Sequence, residues 1–472
     1  MAVIMIDEPC IVPAVGREFA GARLGDARRT RRLVQAAGAC ASRPESSLPK
    51  ALASKGALNA TYALFSHSAV NDAAILAPHQ AETRERCMRE TTVLVAHDTT
   101  EFAFSTHRDG LGHLRSVKDH GFLMHGSLAI TADGNRRPLG VVGAYFWTRT
   151  LETENAEIEP RESERWLQQC IAAEGQLGSD VSSVHIMDRE GDSYELLARL
   201  QARSSRFIVR NRIDRIARLD DEGPTAHIQT LGLLADIAVE ISVAVSRRAL
   251  KKVPQRGTSQ LPREARVAKL AVKAVAVQIR KPPYLRELPM WLDLNIVYVK
   301  ELDAPEGVEP IDWTLYTTEP IASPEDALSV VERYRSRWLI EEWFKAIKTG
   351  CEVEKLQLET YAALKNTIAM YLVIAWRMLL IRTLARNDPQ TSAEAALSLS
   401  ELHVLRVMQP DAKLPRQPTI AQAFLAVAMM GGYIKHKIPP GWLTLARGLE
   451  KLILLERGFS LAGTSPINVG DP

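Results

Sequence analysis

The 472-residue chain is 46% hydrophobic and 24% charged, the balance of an ordinary soluble globular protein with room for two to four domains. Its formal net charge of only +3 rules out reading a nucleic-acid partner from bulk charge, so any such surface has to be local. Its five cysteines are far apart and odd in number, with no CxxC and no Cys/His cluster, which argues against a disulfide framework or a zinc site and fits a reducing cytoplasm.

In chain order, residues 1–70 read as a helical N-terminal domain. The acidic segment 1–15 has no basic, apolar leader, so no signal peptide is expected. Asp26 is the natural N-cap of a helix in 24–34, and Arg28, Arg29 and Arg32 share one of its faces. Such arginines either sit on phosphates and guanine edges or form a solvated basic face, and the run alone leaves both open. From residue 91 the pattern turns to strands, at 92–97, 126–131 and 138–147, the last two joined by the turn 132–135. A helix over 160–173, a strand over 184–187, a helix running through Leu200 and a strand over 206–210 follow. Asp192 and Glu195 have the spacing of a capping box for the second of these helices. This order predicts an α/β fold with a mixed five-stranded sheet of the ribonuclease H type, in a domain spanning 71–385. Asp98 and Asp188 each end an apolar strand, where side chains project beyond a sheet edge. A single such Asp is usually a turn residue or a cap; two at the ends of strands that could be neighbours mark a candidate site.

Residues 213–308 break this rhythm. Between 247 and 287 there are twelve Lys or Arg against two Glu, interleaved with alternating apolar runs, which reads as a basic β insertion suited to tracking a phosphate backbone. The loop around Pro254 to Pro262 reads equally well as a solvated excursion. Strand pattern returns at 312–318, and Ser323 with Pro324 opens a helix as N-cap and first helical residue. The apolar stretch 367–381 is interrupted by Arg377 and is too short to span a bilayer, so it reads as a core helix and no membrane partner is expected. Residues 386–472 read as a further helical domain.

The stretch 334–348 contains no Gly or Pro and reads as one helix. Tyr334, Arg337, Glu341, Lys345 and Lys348 fall within an arc of roughly 80°, opposite Leu339, Ile340, Trp343 and Ile347. The polar face is either solvated, with i,i+4 charge pairing, or a metal-binding acid flanked by phosphate-gripping cations.

Four places then carry a family resemblance: Tyr334-x2-Arg337-x3-Glu341-x6-Lys348, Asp98-Thr99-Thr100, Asp188-Arg189-Glu190-x-Asp192, and Leu24-Gly25-Asp26-x-Arg28-Arg29-Thr30-x-Arg32. Together they resemble the bacterial DDE transposases of the insertion-sequence-four family over most of the chain, from Phe19 to Leu455. The resemblance implies a ribonuclease H-like core interrupted by a β insertion, an N-terminal domain that binds transposon ends and a C-terminal dimerisation domain. It implies Asp98, Asp188 and Glu341 as catalytic carboxylates holding two magnesium ions, with manganese as a substitute. It implies double-stranded DNA, both transposon ends and target, as the partner of a cytoplasmic, nucleoid-associated homodimer that cuts through a hairpin and joins the 3′ ends to target. Arg28, Arg29, Arg32, Arg210, Arg212, Tyr334, Arg337, Lys345 and Lys348 are implied as DNA contacts, and Trp313 as the stack for a flipped base. The sequence departs from the family pattern at Ala446-Arg447, where a further Trp is common, and across 360–366. A structure-selective nuclease and a non-catalytic DNA-binding derivative remain the competing readings.

Overall fold

The computed structural model describes residues 14–52, 54–106, 108–114, 120–149, 162–235, 238–245, 264–434 and 439–464; the loop expected around Pro254 to Pro262 lies outside the described residues. Five helices come first: α1 (Ala14–Arg17), α2 (Ala27–Ser42), α3 (Leu48–Leu52), α4 (Lys55–Phe65) and α5 (Asp72–Cys87). Their starts are set by side-chain caps, since Asp26, Ser54 and Asn71 each accept from a backbone N–H of the first turn.

The sheet contains β1 (Val93–Phe104), β2 (Gly112–His113), β3 (His120–Thr131) and β4 (Pro138–Trp147), followed by α6 (Glu162–Leu177) and β5 (Ser183–Met187). Helix α7 (Tyr194–Ala202) leads to β6 (Arg206–Arg210). The central order is β4-β3-β1-β5-β6, antiparallel between β4, β3 and β1 and parallel between β1, β5 and β6. This is the expected mixed five-stranded core. Side-chain alternation splits it into two faces. Leu94, Ala96, Ile130, Val184 and Ile186 join one large core, while Val93, Val95 and Ala129 pack with Ala173 and Leu177 of α6 on the other side.

The insertion comprises β7 (Ile216–Arg218), β8 (Ala226–His227), α8 (Ile228–Leu234), β9 (Val239–Val245), β10 (Arg266–Arg280) and β11 (Trp291–Glu301), and β12 (Asp312–Thr317) returns the chain to the core. It is not a separate β unit. Strand β12 pairs antiparallel with β6, β11 with β12 and β10 with β11, so one sheet runs from the five-stranded core into the basic region.

Helices α9 (Pro324–Arg335), α10 (Trp338–Lys345) and α11 (Tyr361–Asn387) cover the first face, and α12 (Leu399–Met408), α13 (Ile420–Met430) and α14 (Trp442–Thr464) follow. Helix α11 is apolar and long enough to cross a membrane by length and composition, but it is buried along most of its length as the shared core helix. Its one basic residue in the apolar stretch, Arg377, is paired with buried Glu401 at 2.9 and 3.1 Å. The first and last helices are not isolated lobes. Arg447 donates to Glu45 at 3.1 Å, Arg43 lies 3.7 Å from Glu450, and α2, α11 and α14 contribute to the same hydrophobic core.

The stretch 334–348 is not one helix. Between Tyr334 and Ile340 the backbone bonds tighten to i→i+3, as Arg337 N–H bonds Tyr334 and Ile340 N–H bonds Arg337. After Lys345 the chain widens into a π-helical turn, Ala346–Gly350, closed by Cys351 N–H on Ala346 O at 2.9 Å. The overwinding near Arg337 has no sequence signal, since no Gly or Pro lies there, and the widened turn is marked only by Gly350 at its end.

Candidate active site

Asp98 does not end its strand: β1 runs on to Phe104, fully paired with β3. What ends is its other edge. The parallel pairing with β5 stops at Ala96 and Ile186, so Asp98 and Asp188 stand just beyond the last paired residues, at an opening between two strands. Alternation turns both toward the face that carries α9 and α10. Asp188 also caps the short turn Arg189–Gly191 by accepting from Glu190 N–H at 2.8 Å.

Helix α10 brings the third acid. Trp343 anchors it, buried and donating from Nε1 to Leu372 O at 3.0 Å, and its ring lies so close to Gly126 on β3 that a Cβ there would fall 2.7 Å from the ring. Glycine permits that approach between helix and sheet. Arg337 then donates to Asp98 Oδ2 at 3.3 Å and to Glu341 Oε1 at 2.6 Å, with little of its side chain exposed. Burial pushes the Asp98 carboxyl up to about 8, reinforced by the negative charges of Asp188 and Glu341 and opposed by Arg337. Burial also raises Glu341, with Arg337 again opposing. The three acids therefore act on one another, as carboxylates gathered at one site must. Mutual repulsion relieved by one guanidinium is the electrostatic signature of a cation site, and hard carboxylate oxygens suit a divalent ion such as magnesium.

The expected cationic face is divided in its commitments. Tyr334 is buried, hydrogen-bonded to Arg210 and Arg337, and packed edge-on against half-buried Trp313 with ring centroids 5.6 Å apart. Lys348 donates to the Glu101 carbonyl and lies 3.9 Å from Glu354, and burial lowers its ammonium below the usual range. Arg210 donates to Asp312 O at 3.1 Å. Lys345 is exposed, 3.2 Å from Glu342 and 4.8 Å from the Trp338 ring. Arg212 is exposed, with its backbone N–H held by Asp192. On α2, Arg28 is exposed and Arg32 half-buried, whereas Arg29 donates to Leu24 O at 2.8 Å and approaches His67 Nε2 at 2.8 Å. Arg29 is therefore tied into its own domain more than its neighbours are.

Asp192 does not cap α7. Ser193 holds the N-cap position, and Asp192 is buried instead, accepting from Arg212 N–H and Ile213 N–H at 2.5 and 2.9 Å and pairing with buried Arg215 at 2.5 Å. It fixes the loop after β6 against the loop after β5. Its capping-box spacing is fortuitous, since a buried cation outcompetes a helix-end N–H for the carboxylate.

A further constellation has no signature in the linear sequence. His97, His125, His185 and Cys170 are buried together on the α6 face of the sheet, behind the acids. The Cys/His cluster missing from the linear spacing is assembled from four separate elements, because the partners come from β1, β3, β5 and α6. The period-two rule places His97 and His185 on one face, but their meeting requires knowing that β1 and β5 are neighbours.

Family comparison adds two matches. Residues 13–70 match the transposase DNA-binding family, and residues 167–377 match the transposase DDE domain family. The second span takes in Asp188 and Glu341 and the whole β insertion.

Proposed function

We propose, from the premise that these two domains make the chain a DDE transposase, a metal-dependent enzyme that cuts and joins DNA, that it is a cut-and-paste transposase of the insertion-sequence-four type. The observation that carries the reading is Arg337 spanning Asp98 and Glu341 where the β1–β5 pairing stops. Asp98, Asp188 and Glu341 would hold two magnesium ions, which when bound activate the attacking water or 3′-hydroxyl and neutralise the leaving oxygen. The chain's own residues arrange the rest. Arg337 keeps Asp98 and Glu341 in place before the ions bind. Lys345, Arg212 and Arg210, with Tyr334 and Lys348 behind them, line the approach for the phosphate backbone of an end. Arg28 and Arg32 on α2 supply contacts further along the duplex, with Arg29 holding their helix in register.

The Trp313–Tyr334 pair favours hairpin chemistry over simple hydrolysis. An aromatic surface already propped from behind can hold an extruded base, with stacking worth about 1–3 kcal/mol. A nuclease without strand transfer has no use for it. Two chains, one for each end, would work as a homodimer on double-stranded DNA.

The test is cleavage of a linear fragment bearing the flanking inverted repeats, in magnesium, comparing wild type with Glu341→Gln. The expected result is retained end binding with loss of nicking, hairpin and joined products. Equal cleavage by the two proteins would remove Glu341 from the chemistry. Nicks without hairpin or joined product in wild type would favour the nuclease.

A further inference from the structure

Behind the acids, on the opposite face of β1 and β5, three side chains converge. His97 Nε2 lies 2.9 Å from His185 Nδ1 and 3.9 Å from Cys170 Sγ, and all three atoms lie within 4.8 Å of one another. All three residues are fully buried. Among the described residues this is the one group of three or more ligand-bearing side chains drawn so closely together. We propose that His97, His185 and Cys170 form a second metal site, distinct in face and chemistry from the carboxylates, that binds one zinc ion.

The donor set selects the ion. Two imidazoles and a thiolate suit zinc, whereas magnesium is held by oxygen. A tetrahedral zinc with ordinary bond lengths sets ring nitrogens about 3.3 Å apart and sulfur about 3.6 Å from each. The two distances from His97 straddle those values, and the remaining pair, His185 Nδ1 and Cys170 Sγ, lies within 4.8 Å, so the thiol has to close on the imidazoles by about 1 Å to seat the ion. Three protein donors leave the fourth position to a small exogenous ligand. As the sulfur–zinc bond forms, the Cys170 thiol proton leaves to solvent.

The surroundings of both histidines fit independently. Metal-ligating imidazoles are oriented by an acceptor on their other ring nitrogen. His185 turns Nε2 to Glu174 Oε1 at 3.2 Å, and Glu174 is itself held by Arg203 at 3.2 Å. His97 turns Nδ1 to Ser127 Oγ at 3.1 Å, with His125 Nε2 at 3.3 Å. Each ring thus offers one nitrogen to the common point and anchors the other. A cluster holding only protons would satisfy the imidazoles, but it leaves the sulfur facing a nitrogen already engaged with His185.

The placement gives the ion a purpose, a step that rests on the transposase reading although the site itself does not. His97 precedes Asp98 on β1, and His185 lies on β5 three residues before Asp188, which directly follows that strand; the two strands pair up to Ala96 and Ile186. A zinc held by both, and by Cys170 on α6, ties together the strands that carry two of the three acids. His125, 3.2 Å from Thr99 Oγ1, extends that tie to the residue after Asp98.

Protein expressed in zinc-supplemented medium and gel-filtered from dilute chelator should retain one zinc per chain by elemental analysis. Cobalt-grown protein should show a near-ultraviolet sulfur-to-cobalt charge-transfer band. Cys170→Ser should abolish the band, and Glu174→Gln should weaken zinc affinity by about 10–100-fold while the chain stays folded by circular dichroism. Wild-type protein with no retained zinc and no cobalt band overturns the site, as does zinc binding that survives both Cys170→Ser and His185→Ala. A zinc-binding chain that cleaves no end DNA would leave the site standing and remove only its purpose.

Discussion

The raised Asp98 carboxyl makes a quantitative prediction about the divalent ions proposed to bind beside it. With its pKa at about 8, Asp98 is mostly protonated at pH 7, so an ion that binds there must displace a proton. Each pH unit below 8 costs about 1.4 kcal/mol, and apparent affinity rises about 50-fold between pH 6 and pH 8 before levelling off. At pH 7 about 0.9 proton should leave for each first ion bound. Manganese titration by calorimetry in buffers of different ionisation enthalpy, without DNA, reads both quantities. Asp98→Asn should flatten the pH dependence and abolish most of the proton release. The sign for stability is the reverse of that for an ordinary ion-paired Asp. The folded, metal-free protein holds the Asp98 proton more tightly than the unfolded chain does, so this group's contribution falls as pH rises from about 4 to about 8 and is flat above. Manganese affinity that changes less than about threefold across pH 6–8 in wild type would refute the reasoning, because burial and the neighbouring acids could not then be holding that proton.

Other outcomes follow from single contacts. Arg337→Gln removes the cation hydrogen-bonded to Glu341 and to the largely protonated Asp98 and should lower stability in chelator by about 1–3 kcal/mol in urea unfolding, with manganese recovering more than it does for wild type. Gly126→Val drives a side chain into the Trp343 ring and should cost about 1–3 kcal/mol while displacing α10, seen as lost cleavage with end binding kept in a gel-shift assay. Lys345→Ala should weaken end binding across a salt series and shallow its slope by about one unit, since this exposed cation has no buried role. Trp313→Ala should slow hairpin formation more than first-strand nicking, as resolved on denaturing gels.

How much of this was legible in the sequence differs by kind of information. The five-stranded core could be read because its strands are short apolar runs separated by turn residues, and the caps at Asp26 and Ser323 act on residues two or three positions away. The extent of β1 could not, because Asp98, Thr99, Thr100 and Glu101 look like a turn and remain in strand only through their pairing with β3. The union of insertion and core in one sheet was equally hidden, since pairing β12 to β6 joins segments about a hundred residues apart. The arc drawn on a uniform helix put Arg337 beside Glu341, which it contacts at 2.6 Å, but Lys348 turns to the Glu101 carbonyl and Glu354, and the real backbone overwinds near Arg337 and unwinds after Lys345. The two errors oppose each other. Tighter i→i+3 turns advance each side chain further around the axis, and the wider turn at Ala346–Gly350 gives part of that rotation back.

Strand alternation also explains why hard and soft donors are kept apart within a few residues. On β1, Asp98 faces α10 while His97 and Thr99 face α6; on β5, Asp188 and His185 divide in the same way. Neighbouring positions in the sequence are thus on opposite sides of one layer of backbone. An imidazole moved by one residue would enter the carboxylate site and offer the proposed magnesium a nitrogen, and a carboxylate moved the other way would put a hard oxygen beside Cys170 in place of an imidazole. Register in β1 is pinned by twelve paired residues with β3, so neither exchange is open to the folded chain. The same pairing that holds the acids at the opening holds the histidines behind it.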